Sequence, residues 1–331
     1  MRAILASLRI ANAPSVVSNV TLGFILGGWY WGFWGGHDSL SLSGQLVILC
    51  LIGLLLLFGG NLLNDWHDRD WDATHRPERA LPSGKFPPRS FLIAAIACLF
   101  SAVGLAVTFG TAVFLTTLGI TTCIVVYTLY HKRHAWSVIP MAACRAGLYL
   151  LGFLLLSPLG PVNHLNGGLS ETIGIRELLG ERTFTTAFIL THFLGLFAYV
   201  IGLSLNARYE SLPSPPAGML LIARVLLVLP LATHSAWWIP YYPLVGALSL
   251  LPLALWLALS FSVFRKPLPT FVSALLAGIP LIDFIASVPA VTSVLGPDQS
   301  ISDQPVAVVG VVVPLAAFAM ARLLQKLAPA T

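Results

Sequence analysis

The sequence predicts an all-α protein, a polytopic membrane bundle of nine or ten spanning helices. Three observations predict it. Of 331 residues, 57% are hydrophobic and only 9% are charged, whereas a soluble domain carries about 25% charged residues. A soluble chain so poor in charge has too little polar side chain to cover its surface, and the mean hydropathy of +0.85 agrees. The apolar residues fall in runs of about 20, the length that crosses the hydrocarbon core as a helix. Finally, the basic residues collect in alternate connections between those runs. Soluble globular, disordered, collagen-like and disulfide-scaffold classes are excluded.

Ten runs qualify as spans: about 14–36, 45–64, 90–109, 111–130, 137–158, 185–206, 217–237, 242–263, 270–294 and 305–325. The first follows Arg2 and Arg9, as a secretory signal would. Its apolar run is too long for a signal and lacks a small-residue cleavage site, so a retained anchor is expected. The connection 159–184 is polar, with a short amphipathic helix expected at Ile175–Leu179. With the N-terminus cytoplasmic, 14 of the 18 basic residues lie inside, Arg176 and Arg182 lie outside, and Arg145 and Arg224 fall within spans. That asymmetry supports the orientation and an even number of spans. Trp29, Tyr30, Trp31, Trp34, Trp237, Trp238, Tyr241 and Tyr242 fall where an outer interfacial belt would sit. Residues 1–331 read as a single integral-membrane domain. A nucleic-acid partner is excluded, because the positive charge sits at loops rather than on one polar face. Cys50, Cys98, Cys123 and Cys144 form no Cys-x-x-Cys pair and are expected to be small buried hydrophobes.

Charge is costly in such a chain, so its placement is informative. Five of the 13 acidic residues lie between Asp65 and Glu78, at the cytoplasmic end of span two. If the helix continues, Asn64, Asp68 and Asp72 recur at i, i+4 and i+8. Asn61, Asp65, Asp68 and Asp72 recur at steps of four, three and four. Either set forms one stripe. Like charges on one stripe repel unless a cation neutralises them, and oxygen-only ligands suit Mg²⁺ shared with substrate phosphates. Arg76 and Arg79 follow at once and are suited to hold phosphate oxygens bidentately. A second basic site, Tyr127 to Arg133 with Lys132, ends span four on the same side. Arg145 lies within span five, where an arginine is expected to face the bundle interior or a wet cavity. At the end of span six, Asn206 and Glu210 are one turn apart and flank Arg208. They are read as a partner oxygen pair. Asp283 is the other acid within a span, and its role stays open. His192 reads as a hydrogen-bonded core histidine, and no His pair with zinc spacing is present.

The run Asn64-Asp65-x-x-Asp68-x-x-x-Asp72, with Arg76-Pro77-x-Arg79-x-Leu81-Pro82-Ser83-Gly84 after it, resembles the first motif of the UbiA superfamily of intramembrane prenyltransferases. Tyr127 to Arg133 is similar to that family's Tyr-x-x-x-Lys-Arg element, and Arg9 with Asn12 fits its N-terminal pattern. Arg76-Pro77-Glu78-Arg79, Cys144-Arg145 and Ala207-Arg208-x-Glu210 look like its EboC-like branch. The resemblance implies a helical bundle with a central cavity open to lipid. It implies Mg²⁺ held by Asn64, Asp68, Asp72, Asn206 and Glu210, and catalysis by Asp65, Asp68, Asp72 and Glu210. Substrate binding would fall to Asn12, Arg76, Arg79, Tyr127, Lys132, Arg133, Arg145 and Arg208. The implied partners are an isoprenoid diphosphate donor, an unidentified small-molecule acceptor and membrane lipid. The implied place is a bacterial inner membrane.

Two features depart from the family. Asn206-x-x-x-Glu210 stands where Asp-x-x-x-Asp is usual, and ten spans stand where nine are usual. Competing readings are a non-catalytic isoprenoid-binding protein, which would release no diphosphate, and a CDP-alcohol phosphotransferase, whose Asp-Gly-x-x-Ala-Arg run is missing. An ion transporter would place acids near several span midplanes, whereas here they cluster at one face.

Overall fold

The computed structural model describes residues 2–31, 39–156, 183–210, 212, 214–240, 243–294 and 305–328. The expected helix at Ile175–Leu179, and Trp34, Tyr241 and Tyr242 of the expected belt, lie outside the described residues. The described helices are α1 (Arg2–Ser7), α2 (Ala13–Trp31), α3 (Ser39–His75), α4 (Pro88–Val107), α5 (Thr111–Tyr130), α6 (Val138–Leu155), α7 (Thr183–Tyr209), α8 (Ala217–Trp238), α9 (Pro243–Ser262), α10 (Leu268–Ala277), α11 (Ile279–Val294) and α12 (Pro305–Leu327). Among the described residues there is no strand. Among the described residues, ten helical stretches are long and apolar enough to cross a membrane, one for each run read from the sequence.

Two of the spans are irregular in ways their residues explain. α3 has 37 residues, a length of roughly 55 Å at 1.5 Å per residue. That is far more than the ~30 Å core needs, so one end projects beyond it and carries the acidic stripe. The ninth span, Leu268–Val288, is two helices, broken at Gly278 just before Pro280. Proline has no N–H to continue the ladder. Tyr199 and Trp256 donate hydrogen bonds of 2.8 Å to the Leu275 and Ala274 carbonyls beside the break. Paired in this way, a broken helix is tolerated at membrane depth.

Small residues set the tightest helix contact. A Cβ on Gly23 of α2 would lie 2.0 Å from the Tyr149 carbonyl oxygen of α6, and one on Gly152 would lie 2.1 Å from that of Val20. The two backbones therefore touch, as small-residue faces of membrane helices allow. Around this pair the core divides. One apolar cluster joins α2 and α6 to α7–α12, and another joins them to α3–α5. Large apolar side chains on the outside, such as Phe100, Leu244 and Val47, are exposed as lipid-facing positions are.

One expectation is corrected. Tyr30 and Trp238 are only 6% exposed and belong to the core. Trp238 meets the Phe188 ring edge-on at 4.8 Å and Tyr30 packs against Phe153 at 5.4 Å, so these two are not part of an outer belt.

Candidate active site

The site begins with the continuation of α3. Because the helix runs unbroken to His75, the residues spaced by three and four stand on one face. Asn64, Asp65, Asp68 and Asp72 are all buried, Asp72 to 2% exposure. Asp70, off that face, has a side chain 85% exposed. A solvated loop with random charge would show no such division.

Buried carboxylates need compensation, and cations from three other segments provide it. Asp68 Oδ2 lies 3.0 Å from His131 Nε2 and 3.3 Å from Lys132 Nζ, just past the end of α5. Asn64 also donates to Asp68 at 3.2 Å. Arg79 in the following loop donates to Asp72 Oδ2 at 2.8 Å and lies 3.7 Å from Asp65. Asp65 also meets Arg9 at 3.4 Å. Arg9 in turn donates to Asn61 Oδ1 at 2.7 Å. Its backbone is left-handed, with φ 48°. This conformation costs a non-glycine residue about 1–3 kcal/mol unless its surroundings hold it, and the Asn61 and Asp65 contacts do so. Lys132 is held a second way, 3.6 Å above the centre of the Trp71 ring.

These groups open onto one cavity of about 1030 Å³. Asn12, Asn64, Asp68, Asp72, Arg76, Arg79, Tyr127, Lys132, Arg133, Arg145 and Arg208, all candidates from the sequence, line it. Val16, Leu56, Ile120, Leu148 and Leu203 give the same cavity an apolar wall. Burial and the neighbouring Arg79 pull the Arg76 guanidinium below its ordinary value. Arg208 donates to the His131 carbonyl at 2.7 Å, which ties the end of α7 to the end of α5.

Three sequence candidates are placed elsewhere. Asp65 does not line the cavity; it sits behind it, between Arg9 and Arg79. Asn206 is fully buried, and its amide donates back to the Gly202 carbonyl at 2.8 Å. Glu210, just beyond α7, pairs with Arg224 of α8 at 3.4 Å. Neither Asn206 nor Glu210 is among the residues that line the cavity, whereas Leu203, Ser204, Ala207, Arg208 and Tyr209 of the same stretch are. Arg9 and His131, which lie in the N-terminal pattern and the second basic site read from the sequence, also line the cavity, each about one turn from a named candidate, Asn12 or Tyr127.

Two oxygens of the predicted ligand set, Asp72 Oδ1 and Asn206 Oδ1, are buried without a hydrogen-bond partner; Asp72 lines the cavity. Among the described residues no three His, Cys, Asp or Glu side chains converge as a metal site. A cation there would need the Asn64 amide oxygen and ligand oxygens to complete its coordination.

Comparison with known proteins places this geometry. Residues 21–269 match the UbiA prenyltransferase family. A digeranylgeranylglyceryl phosphate synthase of Methanopyrus kandleri is 31% identical over 106 residues, 32% of this chain and 35% of that protein. The synthase of the same name from Korarchaeum cryptofilum is 37% identical over 73 residues, 22% of this chain and 26% of that protein. The matched segment thus spans about a third or less of these curated relatives. A solved structure of a digeranylgeranylglyceryl phosphate synthase superposes with a TM-score of 0.53 over 86% of this chain and 94% of that one. At 14% identity that likeness establishes the fold.

Proposed function

The chain belongs to the UbiA prenyltransferase family, and we propose that it transfers a prenyl group from an isoprenoid diphosphate to an acceptor within the membrane, releasing diphosphate. The observation that carries this reading is the two-part cavity. Acidic and basic side chains line it around Asp68 and Asp72, and apolar side chains line the rest. A molecule with a highly charged head and a long apolar tail matches both parts.

The residues have distinct tasks. Lys132, Arg133, Arg76 and Arg79 take up negative charge as the diphosphate leaves, the role of preorganised charge in a low-dielectric site. Arg79 and Lys132 are held in place by Asp72 and Asp68. Asp65 is a positioning residue that fixes Arg9 and Arg79. Tyr127 lines the cavity with its ring stacked on His131. It offers an aromatic face to positive charge developing on the prenyl carbon. The apolar wall keeps water from that carbon until the acceptor attacks.

Mg²⁺ fits the α3 half of the site. It binds through one or two carboxylates and completes its shell with water and phosphate oxygens, so Asn64, Asp68 and Asp72 would hold it. When bound, it shields the diphosphate and favours its departure. From the second motif, Asn206 has a free side-chain carbonyl oxygen to offer, while Glu210 is engaged by Arg224.

The details that look like the EboC-like branch remain part of this proposal. So do the reading of 1–331 as one domain and a plasma-membrane location with the acidic stripe on the cytoplasmic side. The test is incubation of the detergent-purified protein with labelled geranylgeranyl diphosphate, Mg²⁺ and a membrane extract. A new prenylated product with equimolar diphosphate is expected. Saturable binding with no product would make the chain a binding protein instead.

A further inference from the structure

Arg145 is a cavity charge that the diphosphate site leaves unused. It is 7% exposed, in the middle of α6, and it lines the cavity. Seven residues into the helix, it stands roughly 10 Å deeper than Val138 at the helix start. The cations around Asp68 and Asp72 lie instead in the two connections, after α3 and between α5 and α6.

Its surroundings fix it without neutralising it. One terminal nitrogen of Arg145 donates to Ser15 Oγ at 2.9 Å and to Asn19 Oδ1 at 3.4 Å. Among the described residues these are its only hydrogen bonds, and no carboxylate lies within 4 Å of it. Asn19 is itself clamped. Its amide nitrogen donates to both oxygens of Asp283, at 3.0 and 2.9 Å, and that leaves its carbonyl oxygen for Arg145. The Asp283 carboxylate, fully buried in α11, also accepts from Ser18 and Tyr149. Asp283 therefore holds the amide orientation that holds the guanidinium, and it balances the charge only at one remove. An arginine at such depth normally pairs with an acid or faces a polar cavity. Here the acid serves the asparagine, and the rest of the guanidinium fork is left for a ligand in the cavity.

We infer that Arg145, oriented through Asn19 by Asp283, forms a second anion-binding subsite that takes the anionic head of the prenyl acceptor, a phosphate or a carboxylate. This rests on the prenyl-transfer reading, but its test does not require turnover. A guanidinium is suited to either oxyanion, because its planar fork matches both. An acceptor gripped there and a donor gripped at the diphosphate end would share one cavity.

The test uses the full chain in detergent with Mg²⁺ and saturating inorganic diphosphate, so that the first site is filled. Dodecyl phosphate, dodecanoate and dodecanol then serve as chain-matched probes, read by the shift in unfolding temperature. The expected result is a saturable shift with one or both anions and none with dodecanol; which anion binds distinguishes phosphate from carboxylate. Arg145→Gln, which keeps a polar contact to Ser15 and loses the charge, is expected to weaken anion binding at least tenfold. Ser15→Ala keeps every charge and removes one of the two partners of Arg145. It is expected to weaken binding about threefold, and it serves if Arg145→Gln does not fold. Equal shifts with dodecanol, or wild-type affinity in both variants, would overturn the inference. So would complete competition by diphosphate, which would mean a single anion site. Failure of geranylgeranyl diphosphate to react would overturn the prenyl-transfer reading and leave the probe experiment intact.

Discussion

Lys132 Nζ stands 3.3 Å from Asp68 Oδ2, joining the end of α5 to the acidic face of α3 at the cavity. The same ammonium lies over the Trp71 ring, so it is held before any substrate arrives. Preorganisation of this kind lets a charge act on a leaving group without the cost of reorienting. Lys132→Met is therefore expected to raise KM for the prenyl diphosphate about 10–100-fold, the worth of a charge-assisted hydrogen bond. Steady-state diphosphate release checks it. An unchanged KM would remove Lys132 from the donor site.

Asp65 touches Arg9 and Arg79 and does not line the cavity. Asp65→Asn is expected to raise KM about tenfold with kcat within about threefold, because a positioning residue acts through the arginines it holds. A collapse of kcat with KM unchanged would make Asp65 a catalytic group instead.

Glu210 is committed to Arg224, with the arginine side chain 38% exposed. Glu210→Gln is expected to leave turnover within about threefold and to cost under about 1 kcal/mol of stability, as partly exposed pairs do. A loss of more than about 100-fold in kcat would show that Glu210 swings into the cavity during the reaction.

The contrast between Asp68 and Glu210 shows what the sequence carried. The i, i+4, i+8 spacing of Asn64, Asp68 and Asp72 is local, and a helix turns local spacing into a shared face, so the first motif was legible. The ten apolar runs were legible for the same reason. Glu210 lies past its helix end, and its direction is decided by Arg224 on the next helix, which spacing does not encode. Tyr30 and Trp238 were misread as a belt, because an aromatic near a helix end has the same sequence signature whether it faces lipid or a neighbouring ring such as Phe153 or Phe188. The clamp of Asp283 on Asn19 joins residues 264 positions apart, and only the packing of α2 against α11 discloses it.

The α2–α6 contact is tight enough to be tested directly. Gly152→Leu would drive a side chain into the Val20 carbonyl and the Phe24 amide. Overpacking against side chains costs about 1–3 kcal/mol, and backbone yields less readily. The variant is expected to unfold at markedly lower temperature in detergent, while Gly104→Ala, with nothing within 4 Å of the added carbon, should unfold like the wild type. Equal unfolding temperatures for Gly152→Leu and wild type would contradict the contact.

The central claim is that the acidic face of α3 supports departure of a prenyl-bound diphosphate. It is tested most directly by measuring diphosphate released from geranylgeranyl diphosphate by wild type and Asp68→Asn, each with Mg²⁺ and with EDTA. Release by wild type that needs Mg²⁺, and falls at least about 100-fold in a folded Asp68→Asn, is the expected result. Release indifferent to both EDTA and Asp68→Asn would contradict the account.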